Sequence, residues 1–251
     1  MIADEWTLSM AEVPVAVLAG GLATRLGPVA AAVPKALVEV AGRPFIDHQL
    51  MLLHRHGVRR VVLCVGHWGE QVEEHVGDGR RFGLEVAYSF DGPAPIGTAG
   101  ALKHALPKLG EIFWVLYGDS YTDFDFSNAL DAFAKCAPAV VGLMTVLKND
   151  GRWDRSNVEF ARGRLLRYDK ARPTAAMTYI DYGVSLLRRA VLAGVPEHTF
   201  VDLADVCRDL VADGRMIGRR VPVRRRFFEI GTPDALAETR AYLGRLRRVD
   251  G

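Results

Sequence analysis

Two segments of the sequence carry residues suited to bind phosphate groups and a metal ion. The first holds the paired glycines Gly20 and Gly21, followed by Arg25 and then Lys35. Paired glycines let the backbone approach a ligand closely and present N–H groups to an anion, and the two cationic side chains add positive charge to the same loop. This combination predicts a cradle for a triphosphate, although its spacing is neither that of a Walker A loop nor that of G-x-G-x-x-G.

The second segment is Gly118-Asp119-Ser120, which directly follows the apolar run 112–117 (IFWVLY). An Asp at the end of a buried strand is held at the carboxyl edge of the sheet, where open α/β sheets bind their ligands. Mg²⁺ prefers carboxylate and phosphate oxygens, so Asp119 is a candidate metal ligand. The alternative is that Asp119 only caps the turn that follows the strand.

The run 18–26 (LAGGLATRL), followed by Pro34-Lys35, resembles the signature of sugar-1-phosphate nucleotidyltransferases, with Ala23 where that family usually has glycine. Further segments agree with the family in order and spacing: 95–102 (PIGTAGAL), 116–120 (LYGDS), 168–170 (YDK) and 228–233 (FEIGTP). The resemblance extends over residues 13–243. It is closest to the heptose-1-phosphate and mannose-1-phosphate guanylyltransferases, and the short uridylyltransferases of cell-wall recycling are also similar.

The resemblance implies a Rossmann-like fold of the GT-A type and a reaction that joins a nucleotide to a sugar. A sugar 1-phosphate oxygen attacks the α-phosphorus of a nucleoside triphosphate, pyrophosphate leaves, and an NDP-sugar forms. Because the attacking phosphate is already a nucleophile, catalysis consists of positioning and charge neutralisation. The expected substrates are GTP and heptose or mannose 1-phosphate, with UTP and CTP as alternatives, and the expected cofactor is Mg²⁺.

The resemblance also implies roles for individual residues. The expected catalytic residues are Arg25, Lys35 and Asp119. The nucleotide is expected to contact Leu18, Gly20, Gly21, Arg25, Lys35, Gly97 and Thr98. The sugar phosphate is expected to contact Asp119, Asp169, Lys170, Asp181 and Gly183. The metal ion is expected to bind Asp119 and Glu229.

Three positions depart from the family pattern. Asp169 replaces the Glu that is usual in the family, and Glu229 replaces the usual Asp. Asp181 stands where relatives often have Asn. These departures leave open a catalytically silent regulatory protein that binds nucleotide sugars. A glycosyltransferase with a D-x-D metal motif is a further alternative, but Asp123-Phe124-Asp125, which has that form, is better explained as the cap of a helix.

The motif segments are held in place by predicted strands. Each of these strands is an apolar run that ends at a glycine or in a loop. The runs 13–19, 58–65 and 112–117 are typical of buried strands, 84–90 is a further strand, and helical segments alternate with these four to about residue 147. This alternation predicts an α/β fold with a mostly parallel central sheet and helices on both faces. We expect a leader at 1–12 and one domain at 13–251, made of a nucleotide-binding part (13–147), a small β-rich sugar-binding lobe (148–231) and a C-terminal helix (232–251).

The composition fits a globular enzyme of ordinary type, with 49% hydrophobic and 25% charged residues. A formal net charge of +2 argues against a nucleic-acid partner, because such proteins usually show a strong local excess of base. The three cysteines have no metal-ligand spacing and are odd in number, which argues against a disulfide framework. The acidic N-terminal segment and the lack of a long apolar stretch predict a cytoplasmic protein without a membrane anchor. No hexapeptide β-helix pattern follows residue 231, and because such a domain is a common oligomerisation element, we expect a monomer or homodimer.

Overall fold

The computed structural model describes residues 8–21, 26 and 33–249. Through its first half, strands and helices alternate in this order: β1 Val15–Leu18, β2 Glu39–Val40, β3 Arg43–Pro44, α1 Phe45–Arg55, β4 Arg60–Val65, α2 Gly69–Val76, β5 Glu85–Phe90, α3 Gly97–Ala105, β6 Ile112–Tyr117, β7 Ser120–Tyr121, α4 Phe126–Ala134 and β8 Gly142–Lys148. The second half contains β9 Val158–Ala161, β10 Arg164–Tyr168, β11 Tyr179–Arg188, α5 Leu203–Ala212, β12 Met216–Val221, β13 Phe228–Glu229 and α6 Pro233–Val249.

A nine-stranded sheet forms the centre of the molecule. Its parallel part has the order β6-β1-β4-β5, so the carboxyl ends of these four strands meet at one edge. The long strand β11 runs antiparallel to β6 and, through its other neighbours β8 and β9, brings β10 and β12 into the same sheet. The strands expected in a small lobe at 148–231 are thus largely continuous with the central sheet, and only β13 pairs elsewhere, with β7.

The two faces of the sheet explain why its strands are apolar throughout. Along β1, Val15 and Val17 pack into one buried cluster with α1, α2 and α4, whereas Ala16 packs into a second cluster with α3 and α5. In β6, Trp114 packs into the first of these clusters and Phe113 packs into the second. Strands covered on both sides lose the usual alternation of polar and apolar residues, which confirms the predicted α/β class with helices on both faces.

Asp residues cap two of the helices, and the first of these caps lies in the 123–125 segment in which the sequence predicts one. Asp125 accepts a hydrogen bond from Asn128 N (3.1 Å) and begins α4, and Asp202 accepts one from Ala204 N (2.9 Å) and begins α5. A Thr at the start of a helical stretch is a common cap, and Thr98 would be the cap of α3 by its sequence position, but that helix already begins at Gly97. Its hydroxyl instead accepts from Leu203 N (2.7 Å) and donates to Asp202 (2.9 Å), so it supports the start of α5.

Candidate functional site

A cavity of about 460 Å³ lies at the carboxyl ends of β1, β4, β5 and β6. This is the edge at which open α/β sheets bind ligands, and the volume falls within the range of small-molecule sites. Six predicted nucleotide contacts in the described part of the chain line it: Leu18, Gly20, Gly21, Lys35, Gly97 and Thr98. Arg25, the remaining one, lies outside the described residues.

Glycines allow the strand ends to approach one another closely beneath this cavity. A Cβ atom on Gly20 would lie 3.1 Å from Gly66 N, and one on Gly118 would lie 2.7 Å from Leu18 O. Gly118 N donates a hydrogen bond to that same carbonyl (3.0 Å). A Cβ on Gly21 would meet nothing within 4 Å, so this glycine leaves open space for a ligand at the cavity wall.

Lys35 and Asp119 meet in this cavity although they are distant in sequence. Lys35 begins a short 3-10 turn, and its nearly buried ammonium nitrogen lies 2.6 Å from Oδ2 of Asp119. The other oxygen of Asp119 accepts a hydrogen bond from the Ser120 hydroxyl (3.2 Å). The arrangement places a cation and a metal-binding type of carboxylate at one point, where phosphate groups could be held.

The segment at Gly97 is fixed against the segment that leads into α5. Gly97 has φ +73°, and a Cβ there would lie 2.3 Å from Val201 O. Val201 N donates to Ile96 O (3.0 Å), and Val201 O accepts from Ala99 N (3.0 Å). These bonds hold Phe200 at the cavity wall, where its side chain is 66% exposed. Sequence reasoning missed Phe200, because no motif marks an isolated aromatic residue in a loop.

A smaller cavity of about 190 Å³ adjoins the first and shares Tyr117 and Asp119 with it. Four of the residues predicted to contact the sugar phosphate or the metal ion line this cavity together: Lys170, Asp181, Gly183 and Glu229. Lys170 Nζ lies 3.6 Å from Asp181 Oδ2 and 5.3 Å from the centre of the Tyr117 ring.

Asp181 is itself fixed by its neighbours. Its carboxylate accepts hydrogen bonds from Gly183 N (2.9 Å) and from the Tyr168 hydroxyl (3.3 Å). Gly183 has φ +89°, a conformation that favours glycine and that brings its N–H back to this carboxylate. Burial is the main reason why the pKa of Tyr168 is raised far above its ordinary value, so its hydroxyl stays protonated and can donate to Asp181.

Asp169 is not among the residues that line either cavity. Its nearly buried carboxylate accepts hydrogen bonds from Ala171 N (3.0 Å) and Arg172 N (2.8 Å) in its own loop. The bond from Arg172 N, with the neighbouring Arg side chains, lowers its pKa. The short Asp169 side chain reaches its own backbone and orders the turn that carries Lys170, and its expected sugar contact stays a prediction.

The side chains near Asp119 and Glu229 show whether the expected Mg²⁺ ion would find suitable ligands. Ser120 pairs with Glu229 between β7 and β13, so Asp119 and Glu229 are close in the fold, and both line the smaller cavity. The described residues contain no group of three or more His, Cys, Asp or Glu side chains that could hold a metal ion. Two carboxylates still fit Mg²⁺, which commonly binds one or two protein carboxylates and takes its other ligands from substrate phosphates and water.

Asp91 also lines the larger cavity, and sequence reasoning missed it. It directly follows β5, as Asp119 follows β6, so its place after a buried strand was a usable signal. Its Oδ1 is buried and has no hydrogen-bond partner in the described part of the chain. Burial raises the pKa of this carboxyl to about 6.

Comparison with known proteins agrees with this architecture. The family model described as Nucleotidyl transferase matches residues 15–153. An N-acetylmuramate alpha-1-phosphate uridylyltransferase of Caulobacter vibrioides is 32% identical over 235 residues, which cover 90% of this chain and 95% of that protein. The mannose-1-phosphate guanylyltransferase catalytic subunit beta of Danio rerio is 29% identical over 180 residues, covering 70% and 50% of the two chains.

A solved structure has the same fold. HddC from Yersinia pseudotuberculosis, crystallised with GMP-PN, superposes with a TM-score of 0.74 at 22% identity and covers 92% of this chain and 99% of its own. In the described residues, no helix is both long and apolar enough to cross a membrane. The family match over residues 15–153, together with the glycine-lined cavity beside Lys35 and Asp119, identifies this chain as a member of the Nucleotidyl transferase family, similar to enzymes that act on sugar 1-phosphates.

Proposed function

We propose that this protein transfers a guanylyl group from GTP to a hexose or heptose 1-phosphate, of which mannose and heptose 1-phosphate are the favoured examples. The observation that carries the proposal is the position of Asp119 and Tyr117 at the junction of two cavities. The larger one has the glycine-rich wall suited to a nucleotide, and the smaller one contains Lys170, suited to a phosphate. Two substrates bound in this way would meet at Asp119.

The residues of the chain explain how such a transfer would proceed. The backbone at Gly20 and Gly21 would hold the triphosphate, with Lys35 beside the α-phosphate. Lys170 would hold the sugar phosphate so that one of its oxygens faces the α-phosphorus. The new bond joins that oxygen to the α-phosphorus, and the bond from the α-phosphorus to the departing pyrophosphate breaks. Lys35 would stabilise the charge that grows on the α-phosphate oxygens.

Bringing two polyanions together requires cations between them. Mg²⁺, when bound by Asp119 and Glu229, would neutralise the two phosphates and orient them. Lys35 alone cannot both neutralise and orient the two phosphates, because its ammonium nitrogen already lies 2.6 Å from Asp119 before any substrate is present. We infer that substrate phosphates compete with Asp119 for Lys35, which leaves the carboxylate available for the metal ion.

Two observations favour this function over a silent nucleotide-sugar-binding protein. Lys35, Asp119 and Lys170 all face the two cavities, and the departure at Asp169 affects a residue outside both of them. A protein that only binds has no need for a cation and a carboxylate at the junction of two ligand sites. Guanine is favoured by the similarity to guanylyltransferases, and uridylyl transfer is the alternative supported by the similarity to a uridylyltransferase.

The experiment is a matrix of GTP, UTP, CTP and dTTP against sugar 1-phosphates that include mannose, heptose and N-acetylmuramate 1-phosphates. Pyrophosphate release is measured with and without Mg²⁺. Release with GTP and a hexose or heptose 1-phosphate would support the proposal. Release only with another nucleotide would correct the base, and nucleotide binding without release in any combination would favour the silent binder.

A further inference from the structure

Gln49 is a polar residue on the buried face of α1. It is only 1% exposed, and Phe45, Leu50 and Leu53 beside it on this face are apolar core residues. A buried amide is costly unless its polar atoms find hydrogen-bond partners. The partners of Gln49 are two backbone carbonyl oxygens in the segment that carries Asp119.

The amide of Gln49 joins the two sides of the turn at Gly118-Asp119. Its Nε2 donates to Tyr117 O (2.9 Å) and to Ser120 O (2.8 Å). Tyr117 ends β6 and Ser120 begins β7, so the two bonds enclose the turn. An amide nitrogen carries two hydrogens, and both are used here. Because both contacts are to carbonyl oxygens, the opposite orientation would place the amide oxygen against two acceptors, and the orientation is therefore fixed.

The amide oxygen of Gln49 gains nothing at this position. Oε1 is buried and has no hydrogen-bond partner in the described part of the chain. A buried acceptor without a partner is costly, and an apolar side chain of similar size would avoid that cost. What the amide supplies is therefore the pair of bonds to Tyr117 O and Ser120 O.

Two backbone hydrogen bonds hold the same turn from other sides. Gly118 N donates to Leu18 O (3.0 Å), and Ile230 N donates to Asp119 O (3.0 Å). These bonds connect the turn to β1 and to the segment after β13, whereas Gln49 connects it to α1. Of the three connections, the one to α1 depends on a single side chain, so one substitution can remove it.

The position of this turn decides where the carboxylate of Asp119 lies. That carboxylate is 2.6 Å from the ammonium of Lys35 and lines both cavities. Ser120 also pairs with Glu229, so a shift of the turn would change the distance between the two carboxylates. A displacement of about 1 Å in a reacting site can cost about a hundredfold in rate.

We propose that Gln49 is a positioning residue, whose two hydrogen bonds hold the Gly118-Asp119 turn so that the Asp119 carboxylate stays at the junction of the two cavities. Gln49 lines neither of these cavities, so it acts through Asp119 and not on a substrate. This inference rests on the proposed function for the reaction that Asp119 serves. It adds a residue outside the site that sets the geometry of the site.

The test compares the wild type with Gln49→Met, which fills a similar space without donors, and with a matched control, Arg188→Met. Arg188 Nε donates to Val140 O (3.1 Å), and Arg188 pairs with Ile112, the first residue of β6, at the opposite end of that strand from Asp119. The control therefore loses a bond of the same kind away from the turn. A second variant, Gln49→Glu, keeps the shape of the side chain but replaces Nε2 with an oxygen.

Amide hydrogen exchange in the free proteins measures how firmly the turn is held. The amides to follow are those of Gly118 and Ile230, which are bonded within and to the turn. We expect both to exchange about tenfold faster or more in Gln49→Met and in Gln49→Glu, because two hydrogen bonds that oppose local opening are lost. Arg188→Met should keep the wild-type rates at these two amides.

Pyrophosphate release supplies a second readout. In Gln49→Met we expect kcat to fall by about tenfold or more, and the Mg²⁺ concentration that gives half the maximal rate to rise by about tenfold, as is typical when a residue that orients a metal ligand is lost. A smaller fraction of folded protein would lower kcat and leave that Mg²⁺ concentration unchanged, so the second quantity separates positioning from a general loss of stability.

Wild-type exchange at Gly118 and Ile230 in both Gln49 variants would overturn the inference. A wild-type kcat and a wild-type Mg²⁺ dependence in variants that unfold at a lower temperature would also overturn it, because Gln49 would then only stabilise the fold. If the wild type releases no pyrophosphate with any pair of substrates, the proposed function fails. In that case faster exchange at the two amides still supports the inference, and unchanged exchange overturns it.

Discussion

The ammonium of Lys35 and the carboxylate of Asp119 neutralise each other across 2.6 Å at the junction of the two cavities. Lys35 is nearly buried, whereas about a third of the Asp119 side chain is exposed to the solvent of the cavities. The pair therefore places a cation that can bind phosphate and an anion that can bind a metal ion at the point where the two negatively charged phosphates would meet. Either charge alone would favour only one of the two events that the reaction needs, phosphate binding and metal binding.

Asp119→Asn should abolish turnover while the fold stays intact. The amide keeps the shape of the side chain but loses the negative charge that binds a divalent cation. We expect kcat to fall by at least about a hundredfold. Pyrophosphate release measures the loss, and near-ultraviolet circular dichroism checks the fold, with Asp213→Asn, at an exposed position that ends α5, as the matched control. Near-normal activity of Asp119→Asn would contradict the metal assignment.

Lys35→Ala should lower kcat by about a hundredfold or more, because the charge that develops on the α-phosphate loses its partner. Lys35→Met keeps more of the apolar packing and should show the same loss, which separates the charge from the volume of the side chain. Lys135→Ala, at the exposed C-terminal end of α4, serves as the control. A change confined to KM would reduce the role of Lys35 to binding.

Much of the fold could be predicted because it depends on local patterns. Continuous apolar runs mark β1 and β6 as strands buried on both faces, and Gly163 marks the turn between β9 and β10. Thr98 was misplaced because its partners, Leu203 and Asp202, are far away in sequence and no local pattern announces them. The same reason applies to the membership of β9 and β10 in the central sheet, which depends on the pairing of β9 with β11.

The residues of the candidate site that belong to a recognised motif could be predicted from the sequence, and those outside the motifs were missed. Lys35 and Asp119 belong to recognised segments, and the structure joins them. Asp91 and Phe200 belong to none: the position of Asp91 directly after β5 was a usable signal, whereas only the course of the chain brings Phe200 to the cavity. Asp169 shows the opposite case: it stands in a recognised segment, but its short side chain bonds to its own loop. Arg25 lies outside the described residues, so its expected contact with the triphosphate stays a prediction.

Lys170→Ala should weaken binding of the sugar 1-phosphate and leave binding of the nucleotide nearly unchanged. Lys170 lines only the smaller cavity, where it lies 3.6 Å from Asp181 and faces the Tyr117 ring. Losing one cationic contact to a phosphate should raise KM for the sugar phosphate by about tenfold or more. Initial rates with each substrate varied in turn separate the two KM values. An equal rise in both would mean that the two cavities do not bind separate substrates.

Asp91→Asn should change how the stability of the free protein depends on pH. Burial raises the pKa of this carboxyl from 3.8 to about 6 in the folded protein. Between these values the folded state binds more protons at this group than the unfolded state does, so the stability of the wild type falls as pH rises from about 4 to about 6. Above pH 6 the buried carboxylate is ionised in the folded protein, and the loss of stability caused by burying this charge remains.

The amide in Asp91→Asn does not titrate, so the variant should match the wild type near pH 4 and be the more stable protein above pH 6. For a domain of this size, 1 kcal/mol corresponds to about 2–4 °C in Tm, and we expect a gain of that order. Thermal unfolding of both proteins from pH 4 to pH 8 measures the difference, and Asp213→Asn should show none that varies with pH. A difference that is constant across this range would mean that Asp91 is not buried as a titrating group in the folded protein.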